Sequence, residues 1–290
     1  MLDLIVNPVA GGKKGKKILK WLTAVQKRLD ERNVAYTTHF AKVNGQTTAI
    51  TKQLIDNGAT DIVVLGGDGT LHAAINGFHS FEKVNMGIIP CGTGNDFAKS
   101  LNIPLHPVKA IDLIIDGTAK HTDFMQMGSI RGLNVIGVGI DVDVLKRYNA
   151  LKKKTKFGYT SCLIKTLFKF DFINFKANYN DKQTDHHAFI AAVANGKMFG
   201  GGIPICPVAD PADGELNFVS VKGMNKLAII SAFIKLKLGK ILKLKHTTHE
   251  KTNHVKVETE LPCTVNVDGE LYENVQFDVE IVSNQLKVYR

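Results

Sequence analysis

Asp68 stands in an unusual place for a carboxylate. It sits between Gly66-Gly67 and Gly69-Thr70, after the apolar run Ile62-Val-Val-Leu65 and before Leu71-His-Ala-Ala-Ile-Asn76, where apolar residues return at helical spacing. The pattern predicts strand, glycine loop, helix. Glycines let a phosphate approach the backbone, and the helix start offers unpaired N–H groups and the positive end of a dipole. A carboxylate in such a loop calls for a cation, or a hydroxyl to be deprotonated, between it and the phosphate. The competing reading is an Asx-type turn.

Two further segments repeat the pattern. Residues 2–6, apolar except for Asp3, read as a strand that leads into Asn7-Pro8, Gly11-Gly12 and Lys13, Lys14, Lys16 and Lys17, and residues 18–29 follow at helical spacing. Positive charge at a helix start opposes the macrodipole unless an anion compensates, so this loop is expected to lie near phosphate. It lacks both the Gly-Lys-Ser/Thr close of a Walker A loop and the Gly-x-Gly-x-x-Gly dinucleotide fingerprint. Residues 86–90 then run into Cys91-Gly92-Thr93-Gly94-Asn95-Asp96, a third glycine loop and the second with a carboxylate.

The elements that must position these loops follow from patterning. Residues 34–40 and 61–65 read as strands and 47–57 as a helix. This alternation predicts a parallel sheet with helices on its faces and ligands beyond the carboxyl ends of its strands. From residue 123 the chain reads as short strands at 123–127, 133–138, 172–179, 187–195, 215–221, 254–258, 263–267 and 275–282. Two basic, less strand-like segments, 144–170 and 224–245, lie between them. The expected division is 1–122 and 123–290, with 285–289 a candidate to return to the first domain.

A length of 290 residues suits about two domains, and 44% hydrophobic with 22% charged residues is ordinary globular composition. The formal charge of +10 calls for an anionic partner: nucleotide, nucleic acid or an acidic membrane surface. Nucleic acid is disfavoured, since the sequence has neither an aromatic RNA-binding signature nor a recognition-helix module. The four cysteines are scattered without a Cys-x-x-Cys pair, which suits a reducing cytoplasm. The first residues read as a strand rather than a secretory signal, and no run approaches the roughly 18 apolar residues of a membrane span, so membrane contact is expected to be peripheral.

Taken together, Asn7-Pro8 with Gly11-Gly12, Gly66-Gly-Asp-Gly-Thr70 and Gly92-Thr-Gly-Asn-Asp-Phe-Ala98 resemble the diacylglycerol kinase catalytic domain of bacterial lipid kinases. Sphingosine and ceramide kinases share these signatures, whereas NAD kinases and 6-phosphofructokinases are similar mainly in the GGDG loop. Ala73 departs from the pattern, since many relatives carry an acid there. The resemblance implies a Rossmann-like α/β nucleotide domain and a C-terminal β-sandwich-like domain, with the nucleotide in a cleft between them. It implies ATP and Mg2+ as cofactors. Nucleotide contacts are expected at Asn7, Gly11, Gly12, Lys13, Thr38, Gly66, Gly67, Asp68, Gly69, Thr70, Gly92, Thr93, Asn95 and Asp96.

The segment Asn266-Val-Asp-Gly-Glu-Leu271 is by itself a hairpin signal. In the family the matching segment supplies a proton acceptor, so Glu270 or Asp268, with Asp68 beside the phosphates, would complete the catalytic set. Asp210, Asp213 and the carbonyl of Glu215 offer hard oxygen ligands, and similar bacterial enzymes hold a structural magnesium there; a solvated Pro-Ala-Asp-Gly turn is the competing reading. The implied activity is ATP-dependent phosphorylation of diacylglycerol or a related lipid at the inner face of the membrane. An NAD kinase-like enzyme and an inactive nucleotide-binding protein are the alternatives, and a homodimer is an open assembly state. The lysine-rich segments 152–159 and 227–245 read equally as membrane-docking or as helices packed on the sandwich. His186, His187, His246 and His249 are expected at the surface.

Overall fold

The computed structural model describes residues 1–8, 15–42, 45–151, 156–167, 169–259 and 263–290, with the backbone alone at 16, 156, 157, 226 and 227. The expectations for Gly11, Gly12, Lys13, Lys14 and 152–154 lie outside the described residues. The chain divides into two compact units, Met1–Asp123 with Ser283–Arg290, and Phe124–Val282.

The first unit runs β1 (Leu2–Val6), α1 (Gly15–Glu31), β2 (Tyr36–Phe40), α2 (Gln46–Asp56), β3 (Asp61–Gly66), α3 (Asp68–Ile75), β4 (Asn85–Pro90), α4 (Asp96–Ser100), α5 (Pro107–Asp116) and into β5 (Ala119–Met127). The second continues with β6 (Ile130–Gly132), β7 (Val135–Gly139), α6 (Ile140–Asn149), α7 (Lys156–Leu167), β8 (Ile173–Tyr179), β9 (Lys182–Ala194), β10 (Leu216–Lys222), α8 (Lys226–Lys237), β11 (Thr247–Thr252), β12 (His254–Thr259), β13 (Cys263–Val267), β14 (Glu270–Val275) and β15 (Phe277–Tyr289).

In the first unit β2-β1-β3-β4 are parallel neighbours, and the end of β15 joins beside β4, also parallel, with Lys287 opposite Asn85. β1 is buried along its whole length and β3 from Ile62 onward, as strands covered on both faces should be. Helix α1 forms because Ile18, Leu22, Val25 and Leu29 recur on one stripe. All four are buried, each worth about 1.5–3 kcal/mol. Arg28 on its flank pairs with Asp112 of α5 at 2.6 Å. Tyr289 and Asn85 both donate to Asp61, at 2.5 and 2.9 Å, fixing the end of β15 to this sheet.

The second unit is antiparallel, in the order β14-β13-β7-β9-β8-β12-β15, with β10 between β9 and β11 and with a β5–β6 hairpin. Met125, Val138, Phe175, Val193, Phe218, Val257, Val265 and Phe277 share one core. A second core joins α6, α7 and α8 to the sheet through Val144, Tyr159, Leu163, Ile229 and Ala232 against Phe189, Ala192 and Val219. Both basic segments are therefore helical and packed on strands. His186 is not a surface residue: it is buried, stacked on Phe175 at 4.8 Å, and bonded to the Thr184 hydroxyl. His249 is half-buried and bonded to Asn217. The burial of His186 comes from aromatic and hydroxyl partners that its sequence neighbours do not announce.

Candidate active site

β3 and β4 are adjacent parallel strands, so the loops leaving their carboxyl ends are adjacent too. The Cys91 N–H extends the pairing by donating to the Gly66 carbonyl at 2.7 Å. Beyond it the loops touch backbone to backbone: a Cβ on Gly67 would lie 2.8 Å from the Gly92 Cα, and one on Gly92 would lie 2.6 Å from the Gly67 Cα. These glycines are required by the approach of one loop to the other. Asn95 closes the second loop, adopting a left-handed conformation (φ 54°) while its Oδ1 accepts from the Gly92 N–H at 2.8 Å.

Asp68 ties the two loops together. Its Oδ1 accepts from the N–H of Asp96 at 2.8 Å and of Phe97 at 3.4 Å, at the start of α4. The carboxylate thus serves the neighbouring loop as well as any ligand, a role that spacing alone did not reveal. Asp96 is buried and pairs with Lys99 at 3.1 Å, which makes it a support of the loop. Thr70 is buried, its N–H on the Gly67 carbonyl, and Gly69 is exposed at the start of α3. Thr93 and Asn7 are half-buried, at the second loop and at the end of β1. The structure therefore gathers Gly66, Gly67, Asp68, Thr70, Gly92, Asn95 and Asp96. Thr38 is not in that group, since it lies on edge strand β2 opposite Leu4 and accepts from Gln26. Burial pushes the Cys91 thiol up to about 12, against the pull of Lys17, so it is no nucleophile at neutral pH.

In the second unit the Asp268/Glu270 pair separates. Asp268 has φ 54° in the β13–β14 turn, and its carboxylate accepts from the N–H groups of Leu133 at 2.6 Å, Asn134 at 2.8 Å and Val135 at 3.1 Å. It holds the hairpin to the chain entering β7. Glu270 is exposed at the start of β14. At the acidic turn, Lys251 of β11 lies 3.0 Å from Asp213 and 2.5 Å from Glu215, which raises its pKa, while the Asp210 carbonyl accepts from the Asp213 N–H. Among the described residues no group of three or more His, Cys, Asp or Glu is arranged for a metal ion. An ammonium thus lies between the carboxylates of Asp213 and Glu215, at the turn where magnesium was expected.

Sequence reading did not single out Asp141, which is buried and accepts from Asn266 Nδ2 at 3.1 Å. Asp141 follows buried strand β7 and Gly139, a fourth strand–glycine–acid–helix run and the signal that could have found it.

A parallel α/β unit with paired glycine loops, together with an antiparallel β-sandwich-like unit, is the architecture of a phosphate-handling enzyme. The diacylglycerol kinase catalytic domain model matches residues 2–127, and that of the YegS C-terminal NAD kinase beta sandwich-like domain matches residues 134–290, so the chain belongs to the diacylglycerol kinase-type lipid kinase family. It is 26% identical over 273 residues to a diacylglycerol kinase of Bacillus subtilis (strain 168), covering 92% of this chain and 88% of that one. Its fold is that of a diacylglycerol kinase from Bacillus anthracis str. Sterne (TM-score 0.75, 24% identity, 99% and 96% covered). More distantly it is similar to an NAD kinase from Archaeoglobus fulgidus solved with ATP (TM-score 0.50, 13% identity, 99% and 92% covered). No helix among the described residues is long and apolar enough to cross a membrane.

Proposed function

We propose that this chain transfers the γ-phosphate of ATP to the hydroxyl of diacylglycerol or a closely related lipid, at an anionic membrane surface. The observation that carries this reading is the joined pair of glycine loops, Gly67 against Gly92 with Asp68 bridging to α4, in a chain whose family is lipid-kinase type. Their backbone N–H groups and the α3 start suit the phosphates. Magnesium arriving with ATP would offset charge on the β- and γ-phosphates. Phosphoryl transfer then asks the protein chiefly for position and one proton acceptor. Glu270 is that acceptor in this reading: it takes the lipid hydroxyl proton as the new O–P bond forms and the bond to the β-phosphate oxygen breaks, releasing ADP. In this reading Asp268 is not the acceptor, because its oxygens already serve three N–H groups. The test is turnover of γ-labelled ATP with diacylglycerol micelles, with NAD and with no acceptor. Label in the lipid alone is expected; label in NAD, or in no acceptor, would refute the assignment.

A further inference from the structure

Helix α8 is apolar on two faces. Ile229 and Ala232 are buried in the core of the second unit, with Phe233 and Leu236 packed against it. On the opposite side Ile230, Ile234 and Leu238, the last at its C-cap, recur every four residues and are 47%, 52% and 63% exposed. A helix lying on a core needs one apolar stripe, with polar residues on the side that faces water. The second stripe adds nothing to that packing. Helix α7 widens it: Lys237 Nζ donates to Thr160 Oγ1 at 3.2 Å, and Ile164, one turn further along α7, is 41% exposed. Single exposed apolar residues are ordinary, whereas aliphatic side chains gathered on two adjoining helices mark a contact surface.

The charge around the stripe indicates what it meets. Residues 223–248 contain six lysines and neither Asp nor Glu. Lys237, Lys240, Lys243 and Lys245 are exposed, at the end of α8 and in the segment that follows it. A second copy of the chain is a poor cover, because a two-fold contact sets one patch against itself and would bring these lysines face to face. A protein partner is typically held by aromatic or Arg anchors seated in pockets, but this face is convex and aliphatic. Aliphatic side chains that enter an interface, with lysines beside them reaching anionic headgroups, suit a helix lying on a membrane.

We propose that α8 is a docking helix whose outer face, Ile230, Ile234 and Leu238 with Lys237 and Lys240, seats the second unit on an anionic lipid surface. This deepens the membrane-surface part of the reading above, and its test uses neither ATP nor turnover. The full chain is sedimented with sucrose-loaded vesicles of phosphatidylcholine, with or without phosphatidylglycerol. Wild type should pellet with the mixed vesicles and stay in solution with phosphatidylcholine alone. Ile230→Gln, Ile234→Gln and Leu238→Gln together keep the net charge and the packed face, and should weaken binding about tenfold or more. Ile234→Gln alone is the milder variant should the triple one fail to fold. Lys237→Gln with Lys240→Gln should also weaken binding about tenfold. Equal binding by wild type and the folded variants would mean that the formal charge of +10 adsorbs the chain elsewhere, and would overturn the assignment. No binding by wild type, or equal binding to both kinds of vesicle, would overturn it too. So would a dimer in sedimentation velocity that the triple variant lacks, without vesicle binding, since the face would then belong to a second copy. Docking through α8 without lipid phosphorylation would support this surface and refute the kinase assignment. Lipid phosphorylation with α8 variants that bind vesicles as wild type does would refute the surface alone.

Discussion

Asp268 and Glu270 are two residues apart and chemically alike, yet their surroundings give them different work. Asp268→Ala removes the acceptor of three N–H groups and is expected to cost about 1.5–3 kcal/mol or more in urea unfolding. Glu270→Gln, on an exposed strand start, should stay within about 0.5 kcal/mol of wild type. Equal stability of the two variants would remove the distinction. Asp68→Asn keeps an oxygen for the Asp96 N–H but loses the charge. It should melt with wild type while turnover falls strongly, and unchanged turnover would leave Asp68 as only a connector between loops. The sequence could not separate Asp268 from Glu270 because the deciding partners lie more than 130 residues upstream. The glycine loops were legible because strand, glycine and helix are local signals.

α1 was readable from its apolar stripe at helical spacing, and β3 from its continuous apolar run. β11 and β14 were not, since Thr-Thr-His-Glu-Lys-Thr and Glu-Leu-Tyr-Glu-Asn-Val are largely polar and only Thr252 among them is buried. In the segments of α7 and α8, lysines among the apolar residues left a membrane-docking and a packed reading equally open. β9 carries a testable pH response. Burial, with Lys222 adding and Asp185 opposing, lowers the pKa of His186 below its ordinary 6.5. Above pH 6.5 it is neutral whether folded or not; below, the unfolded chain takes up the proton first and stability falls as pH drops. His186→Phe should flatten this acid limb in part, since His249 is lowered too, and an unchanged slope would contradict the assignment. At the acidic turn Lys251 takes the place of a cation. Magnesium against EDTA should leave the wild-type melting temperature unchanged and raise that of Lys251→Met. A magnesium-dependent gain in wild type would show that the ion displaces the lysine.

At the scale of the molecule, the chain crosses between its units within β5 and again within β15, so each unit is completed by residues distant in sequence. The first unit depends on its last eight residues. Tyr289→Phe removes the hydroxyl that donates to Asp61 and should cost about 1.5 kcal/mol, measured by denaturant unfolding of the whole chain; no loss would mean the bond is replaced by water. Sequence patterning conveyed the two architectures but not the buried Asp141–Asn266 pair, whose members lie 125 residues apart in sequence and meet only on folding. The central claim, that this chain is a lipid kinase with Glu270 as its proton acceptor, is tested most directly by transfer of label from γ-labelled ATP to diacylglycerol by wild type, Glu270→Gln and Asp268→Asn at matched folded concentration. Wild type should label the lipid, and Glu270→Gln should be slower by about 10²- to 10⁴-fold with ATP binding intact. Asp268→Asn should lose rate only as far as it loses folded protein. Lipid labelling by Glu270→Gln at the wild-type rate, or none by wild type, would contradict it.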